Sequence, residues 1–581
     1  MKKLVIFFTL AGLLGMVWAQ APRDTYVKQT LAGGPVSMDP ARAYDSASGE
    51  ILENIYETLY TYDGESIDTF KPALATSYSV SADGKTYTFT LRDGVKFHSG
   101  NMMSCKDVEW SFEYGLTAAH PEGAVMYLMG DQFLGRHDID GSDPETYLNT
   151  FTYDMIANAV TCPAGTEGMT VQLNLVNPKP ALIAILAYTA FSVMDSDYAK
   201  ANGMWDGSAA TWADWVGRDI TQEFLHNHPS GTGAYKLVEW TDQATVLAAF
   251  DDYWGGSPAL KNAVFQYVEE QSSRILALQQ GDADHVILND RASLVQLRGA
   301  PGVSILEDPN WSTTSVTSVF FNFNIDTSNN EDVGSGELGS GIPADFFADV
   351  NIRRGFSQLF DQQAFIDQLF EGQGLMLTVG MPSSFLGYDP NLPIRTLDLE
   401  AAERYFRAAF DGAVWEKGFE FTALYNGSNE TRKTALEIIA ENLEFLNPKF
   451  KMNVRSLPWP DYLARTGERK APMFALGWGA DYADPENFIN TFYDDNGFYA
   501  ARTSISVPEI QALIDQADAI ADPVARAFIY KEIGGLHYEY APIIAVPQST
   551  PFMTVRSDLQ GVYRNPMLSS TFFIKDISKA N

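Results

Sequence analysis

Between residues 400 and 477 short apolar runs alternate with stretches of helical period, and no other feature constrains the fold of this chain as much. Residues 419–424, 452–457 and 473–477 read as strands, while 400–410 and 430–446 place apolar side chains at helical spacing. Strands and helices of these lengths in alternation build a partly parallel α/β layer, because each helix carries the chain back to start the next strand. Two further helical patterns, 508–521 and 523–538, lead to a strand at 542–547. The full 581 residues exceed what one hydrophobic core organises, so the chain divides into two or three domains.

The first half reads differently. A strand is expected at 25–30 and a helix over 49–60, where Ile51, Leu52, Ile55, Tyr56 and Leu59 share a face. Tyr78 and Val80 alternate with polar residues up to Asp83-Gly84, and Tyr87, Phe89 and Leu91 alternate with threonines beyond it. That pattern is a hairpin. A third short run follows at 95–98, and Ser104 with Asp107 forms a capping box that opens a helix. Residues 115–170 read as irregular, 178–188 as a helix, 264–268 as a strand and 271–280 as a helix ended by Gly281. A strand is expected at 315–324, a solvated Gly, Ser and acidic loop at 329–341, and a helix from Asp361 that stops before Gly372.

Met1-Lys2-Lys3, an apolar run from Leu4 to Trp18 and the small Ala19 form a secretory signal over 1–19, cleaved after Ala19. No cysteine follows it to carry a lipid, so the expected product is exported and has no lipid anchor. In an exported chain the two cysteines, Cys105 and Cys162, are expected to bond. The net charge of −34 argues against nucleic acid and anionic membrane as partners. His226 and His228 would share a face on a strand, but a metal needs a third ligand that the sequence does not offer. There is no His-Glu-x-x-His, no Gly-x-Ser-x-Gly and no Walker A loop, and nothing calls for a cofactor.

The chemistry concentrates in Gly477-Trp478-Gly479-Ala480-Asp481-Tyr482-Ala483-Asp484-Pro485. Two carboxylates here admit a catalytic pair, a metal site, or one ligand contact beside one helix cap. Three residues apart on one loop, Asp481 and Asp484 are poorly placed to flank a scissile bond, which disfavours a secreted hydrolase. Asp484 precedes Pro485 and a helical pattern of Phe488, Ile489 and Phe492, the arrangement of an N-cap. Asp481 lies past the C-terminal end of an apolar strand, where open α/β sheets place ligands; a loop Asp bonding its own backbone is the plainer alternative.

Several segments, in order along the chain, resemble the bacterial extracellular solute-binding proteins of family 5, the dipeptide and oligopeptide binders of ABC importers. They include Leu74-Ala75-Thr76-Ser77-Tyr78, Leu91-Arg92-Asp93-Gly94-Val95-Lys96-Phe97-His98, Gly231-Thr232-Gly233-Ala234-Tyr235-Lys236-Leu237, Asp252-Tyr253-Trp254, Gly281-Asp282-Ala283-Asp284 and Asn351-Ile352-Arg353-Arg354. The resemblance implies a bilobed fold of the type II periplasmic-binding kind, with a hinge and three domains. Domain I would comprise 20–58, 190–309 and 536–581, domain II 59–189 and domain III 310–535, with both cysteines in domain II. It implies a periplasmic, monomeric receptor that closes on a peptide and delivers it to a membrane permease, without catalysis or cofactor. Relatives of the fold take oligosaccharides or nickel complexes instead.

By the same resemblance Asp481 holds the α-amino group of the peptide, and Gly477, Trp478, Gly479 and Ala480 pair with its main chain. Tyr44 and Asp45 meet the peptide from the other lobe, and Tyr127, Tyr425, Asn426 and Trp459 fall at pocket positions. Where some dipeptide binders carry an arginine for the carboxylate, this chain has Leu424-Tyr425-Asn426, so longer peptides suit the expectation better.

Overall fold

The computed structural model describes residues 21–580 apart from 31–33, 137–138, 289, 309–310, 312, 428 and 521; the expected signal at 1–19 lies outside the described residues. Three sheets carry the architecture. The largest has seven strands in the order Val303–Glu307, Phe552–Arg556, His285–Val286, Thr25–Thr30, Asn262–Tyr267, Ala244–Ala249, Tyr235–Trp240. Thr25–Thr30 runs parallel to both neighbours, with Val27 opposite Val264 and Lys28 opposite His285. The chain therefore leaves this sheet after Thr30 and after Glu307, and returns each time.

The first excursion builds an antiparallel sheet of Ala75–Val80, Thr86–Leu91, Thr170–Asn174 and Val160–Thr161. Gly84 takes a positive φ of +70° in the turn, and Tyr87, Phe89 and Leu91 are buried, as the alternation requires. Ser104 opens the helix Cys105–Ala118 with the expected box: its N–H donates to Asp107 Oδ2 at 2.9 Å. A disulfide joins Cys105 at that helix start to Cys162, just past Val160–Thr161, with Cα atoms 5.8 Å apart.

The second excursion builds a five-stranded sheet ordered Phe450–Leu457, Phe419–Asn426, Met473–Gly479, Ser315–Phe321, Ile543–Ala545, in which the first three strands are parallel. The helix Glu430–Leu446 buries Ala435, Leu436, Ile439 and Leu443 beside them, the i, i+4 stripe of a helix laid on a sheet. Each sheet has its own apolar core. Some side chains cross that separation: Tyr482, on the loop that leaves the five-stranded sheet, packs in the core of the four-stranded unit, and Ile67 packs in that of the five-stranded one.

Several expectations shift. The helix at 49–60 is Ser46–Ile55, because Asp45 accepts the Ser48 N–H at 2.8 Å and the chain turns extended at Tyr56; Tyr60 belongs to the strand Tyr60–Tyr62. The stretch 115–170 holds three short helices, Val125–Phe133, Pro144–Thr150 and Tyr153–Ala159, the last two capped by Asp143 and Thr152. Residues 95–98 make only an isolated bridge from Lys96 to Met102, and 178–188 is helical only over Leu182–Leu186. The 329–341 segment is not a freely solvated loop: Asp332, 1% exposed, sits between the guanidinium groups of Arg455 and Arg465, each at 2.6 Å. His226 ends a 3-10 turn and bonds Ser37, while His228 stacks on Phe224, so they share no strand face. Ile543–Ala545, past residue 535, still pairs with Ser315–Phe321. Among the described residues no helix is long and apolar enough to cross a membrane.

Because the disulfide joins residues 57 apart in sequence and ties the start of Cys105–Ala118 to the end of the edge strand Val160–Thr161, the Cys105→Ala/Cys162→Ala double variant is expected to lose about 2–4 kcal/mol of stability. Denaturant unfolding checks this, and thiol labelling of the unreduced protein should find no free cysteine.

Candidate functional site

The strand Met473–Gly479 is buried over its first four residues and emerges at Gly477 and Trp478. On one side it pairs with Ser315–Phe321 along its whole length, Gly479 opposite Ser315. On the other it keeps only two pairings with Phe419–Asn426, at Met473 and Phe474. Past that point the Tyr462 hydroxyl donates to the Ala475 carbonyl (2.7 Å) and the Tyr499 hydroxyl to the Gly477 carbonyl (3.0 Å). The strand end is thus fixed by tyrosines where its pairing with the neighbouring strand has stopped.

Beyond it, Asp481 enters a cleft of about 460 Å³ that is also lined by Gly477, Trp478, Gly479, Ala480, Tyr44 and Tyr188. That volume suits a small ligand. Asp481 is 7% exposed. Its Oδ1 accepts from the Tyr44 hydroxyl at 2.7 Å, 437 residues away in sequence, and its Oδ2 accepts from Asn487 Nδ2 at 3.1 Å. Asn487 also takes the Asp481 N–H (3.0 Å) and the Trp478 indole N–H (3.2 Å) on its Oδ1. One amide therefore fixes both ends of the segment. Every donor to the carboxylate is neutral, and burial pushes its pKa up to about 6 against the lowering pull of Tyr44 and Asn487.

The other expected residues separate into groups. Tyr127, on Val125–Phe133, meets Trp478 edge-on at 6.2 Å and lines a second polar chamber of about 310 Å³. Asp45 spends one oxygen capping Ser46–Ile55, and its Oδ2 is buried with no hydrogen-bond partner among the described residues. Tyr425 and Asn426 end the strand Phe419–Asn426, and Asn426 Oδ1 accepts from Arg432 Nη1 at 2.6 Å. Trp459 begins the helix Trp459–Gly467 and is 48% exposed. None of Asp45, Tyr425, Asn426 and Trp459 is among the residues that line the 460 Å³ cleft.

Asp484 does more than cap a helix. Its Oδ1 accepts the Glu486 N–H at 3.0 Å, as a cap should, but both oxygens also take the Arg526 guanidinium, each at 2.7 Å. Arg526 reaches on to Glu486 (3.2 Å), which is held in turn by Lys179 and by the Tyr482 hydroxyl (2.7 Å). Burial pushes Glu486 up, but Lys179 and Arg526 outweigh it and hold the carboxyl below its ordinary value. Sequence reasoning missed Asn487, Glu486, Lys179 and Arg526; the polar Arg526 among the apolar residues of Pro523–Tyr540 is the one signal it left. Asp484→Ala removes both 2.7 Å contacts of the buried Arg526 guanidinium and leaves it Glu486 at 3.2 Å, so the expected loss is about 3 kcal/mol, the low end for one partner of a buried pair, rather than the ~1 kcal/mol of a missing cap. Denaturant unfolding distinguishes the two.

The sequence model described as "Bacterial extracellular solute-binding proteins, family 5 Middle" matches residues 69–500. Heme-binding protein A of Haemophilus influenzae is 24% identical over 560 residues, covering 95% of this chain and 92% of the relative. The dipeptide-binding protein of Escherichia coli is 23% identical over 535 residues, covering 87% and 88%. The fold matches that of the ABC transporter-associated periplasmic binding protein DppA from Helicobacter pylori in complex with peptide STSA, with a TM-score of 0.72 at 22% identity over 96% of this chain and 98% of that one. The chain belongs to the bacterial extracellular solute-binding proteins of family 5.

Proposed function

We propose that this chain is the extracytoplasmic receptor of an ABC importer, which takes a peptide by its α-ammonium group between two lobes and delivers it to a membrane permease. The observation that carries this reading is the Asp481 carboxylate, enclosed at the cleft wall with neutral donors only. An ammonium drawn out of water needs an ionised, hydrogen-bonded partner, and a buried carboxylate gains from a cation what burial cost it. The peptide-binding names of relatives such as the dipeptide-binding protein of Escherichia coli support the same assignment.

In this reading the mature protein starts after Ala19 and works as a periplasmic monomer, without turnover, cofactor, metal or nucleic acid. Domain I is formed by 20–58, 190–309 and the C-terminal segment, domain II by 59–189 and domain III by 310–535. The pairing of Ile543–Ala545 with Ser315–Phe321 favours placing the last crossing after Ala545. Backbone groups at Gly477, Trp478, Gly479 and Ala480 pair with the peptide main chain, which lets one receptor accept many side chains. Tyr44 holds Asp481 from the opposite lobe, and Tyr127 closes on Trp478.

The test is Asp481→Asn. Peptide affinity measured by calorimetry should fall at least 30-fold, since one partner of a desolvated charge pair is lost. The unliganded variant should unfold later than the wild type at pH 7. The folded carboxyl titrates near 6 and an unfolded one near 3.8, so ionisation erodes stability as pH rises through that window, and above it the whole deficit, on the order of 1–3 kcal/mol, is present. Wild-type affinity should weaken by roughly tenfold per pH unit below about 6. Unchanged affinity in the variant would refute the assignment.

A further inference from the structure

Part of the wall of the Asp481 cleft is a stretch with neither helix nor strand, Pro566, Met567, Leu568 and Ser569. The stretch belongs to a closed strap over 565–571, in which the Asn565 N–H donates to the Thr571 carbonyl at 2.8 Å. Thr571 takes a φ of +74°, a strained conformation for a β-branched residue, and such a conformation persists only where the surroundings hold it. Packing backs the strap incompletely: Leu568 lines the cleft and also lines a cavity of about 90 Å³ that Glu53 and Lys575 share. A partition between two openings depends on its hydrogen bonds.

Those bonds run to three separate parts of the chain. Asn565 Nδ2 donates to the carbonyls of Gly64 (2.8 Å) and Ser66 (2.9 Å), in the loop between Tyr60–Tyr62 and Phe70–Pro72. The Pro566 carbonyl accepts from the Thr314 hydroxyl at 3.0 Å. Glu53, on the helix Ser46–Ile55, accepts the Ser569 N–H on Oε1 at 2.7 Å, and on Oε2 it accepts the Ser570 N–H at 2.9 Å together with the Ser570 hydroxyl. Burial, helped by the neighbouring Glu50, pushes the Glu53 carboxyl up to about 7, and the donors that draw it back are these three groups of the strap. Thr314 carries the connection onward. Its carbonyl accepts the Ala480 N–H at 2.8 Å, one residue before Asp481, and the next residue, Ser315, pairs with Gly479. A continuous path of hydrogen bonds thus joins Glu53 to the segment that bears Asp481.

We propose that Glu53 is a positioning residue of the binding cleft: it grips the strap from the cavity side, and through the strap and Thr314 it fixes the backbone that presents Asp481. The inference rests on the reading of this cleft as the ligand site. A carboxylate is what the place requires, because both of its oxygens accept, whereas an amide turns a donor toward one of the two backbone N–H groups. The same helix begins just after Tyr44, whose hydroxyl holds Asp481 Oδ1, so one element bears on the carboxylate and on its backbone.

The experiment is hydrogen exchange read by mass spectrometry on the full mature chain and on three variants, Glu53→Gln, Thr314→Val and the two combined. Glu53→Gln is expected to speed exchange about fivefold or more in 565–571 and in 478–482, while the strands Thr25–Thr30 and Ala244–Ala249 keep wild-type rates. Thr314→Val should speed 478–482 alone, and adding Glu53→Gln to it should raise 478–482 no further, because the path is already cut. Unchanged exchange at 478–482 in Glu53→Gln, an equal rise in every strand, or additive effects in the double variant would overturn the proposal, since a merely structural side chain behaves in those ways. Calorimetric titration with trialanine gives the functional readout: affinity should fall about fivefold or more in Glu53→Gln, and equal affinities overturn the positioning role. A wild type that does not take trialanine counts against the peptide reading, and the exchange result then decides the role of Glu53 by itself.

Discussion

A carboxylate removed from water without a cation beside it is the constraint on which the rest of this structure turns. Asp481 is closed in by Tyr44 from one lobe and Asn487 from the other, and neither supplies a charge. A protein of this size can carry such a group only if the surrounding packing over-determines its position and something repays the desolvation. Burial pushes the carboxyl up because the ionised form loses its hydration there. A ligand cation would turn the same unfavourable burial into affinity, since the donors to the carboxylate are already placed.

The loop that presents Asp481 is held by a different kind of electrostatics. Asp484, Glu486, Arg526 and Lys179 bring two negative and two positive groups together, and the Tyr482 hydroxyl joins them from a ring that packs in the opposite unit. Here each charge has an opposite partner and is hydrogen-bonded to it, which is the condition under which buried ion pairs can persist. The two carboxylates that look alike in sequence therefore differ in kind: Asp484 is paired with arginine and holds structure, while Asp481 has no cationic partner among the described residues. Lys179 and Tyr482 also tie the loop to the four-stranded unit, so the position of the lobes and the geometry of the site are set together.

What was legible in the sequence was local. The capping box at Ser104 and Asp107, the hairpin around Gly84, the helices Gln271–Gln280 and Glu430–Leu446, and the three parallel strands before Asp481 each follow from spacing within a few residues. The cap at Asp484 was legible for the same reason. Its ion pair with Arg526 was not, because 42 residues separate the two and no periodicity links them. Tyr44 meeting Asp481 across 437 residues, and Arg432 folding back beside Gly477, depend on how the sheets are placed against one another. Pro144–Thr150 and Tyr153–Ala159 escaped notice because each is about two turns long, with a cap but no sustained apolar stripe.

The central claim is that the cleft recognises a cation through Asp481. Its most direct measurement is the calorimetric affinity of one short peptide against its N-acetylated twin at pH 7. The two differ only in the charge that would face Asp481. Loss of at least 30-fold in affinity on acetylation is the result the account predicts; equal affinities would contradict it, and would show that the carboxylate serves the protein and not its ligand.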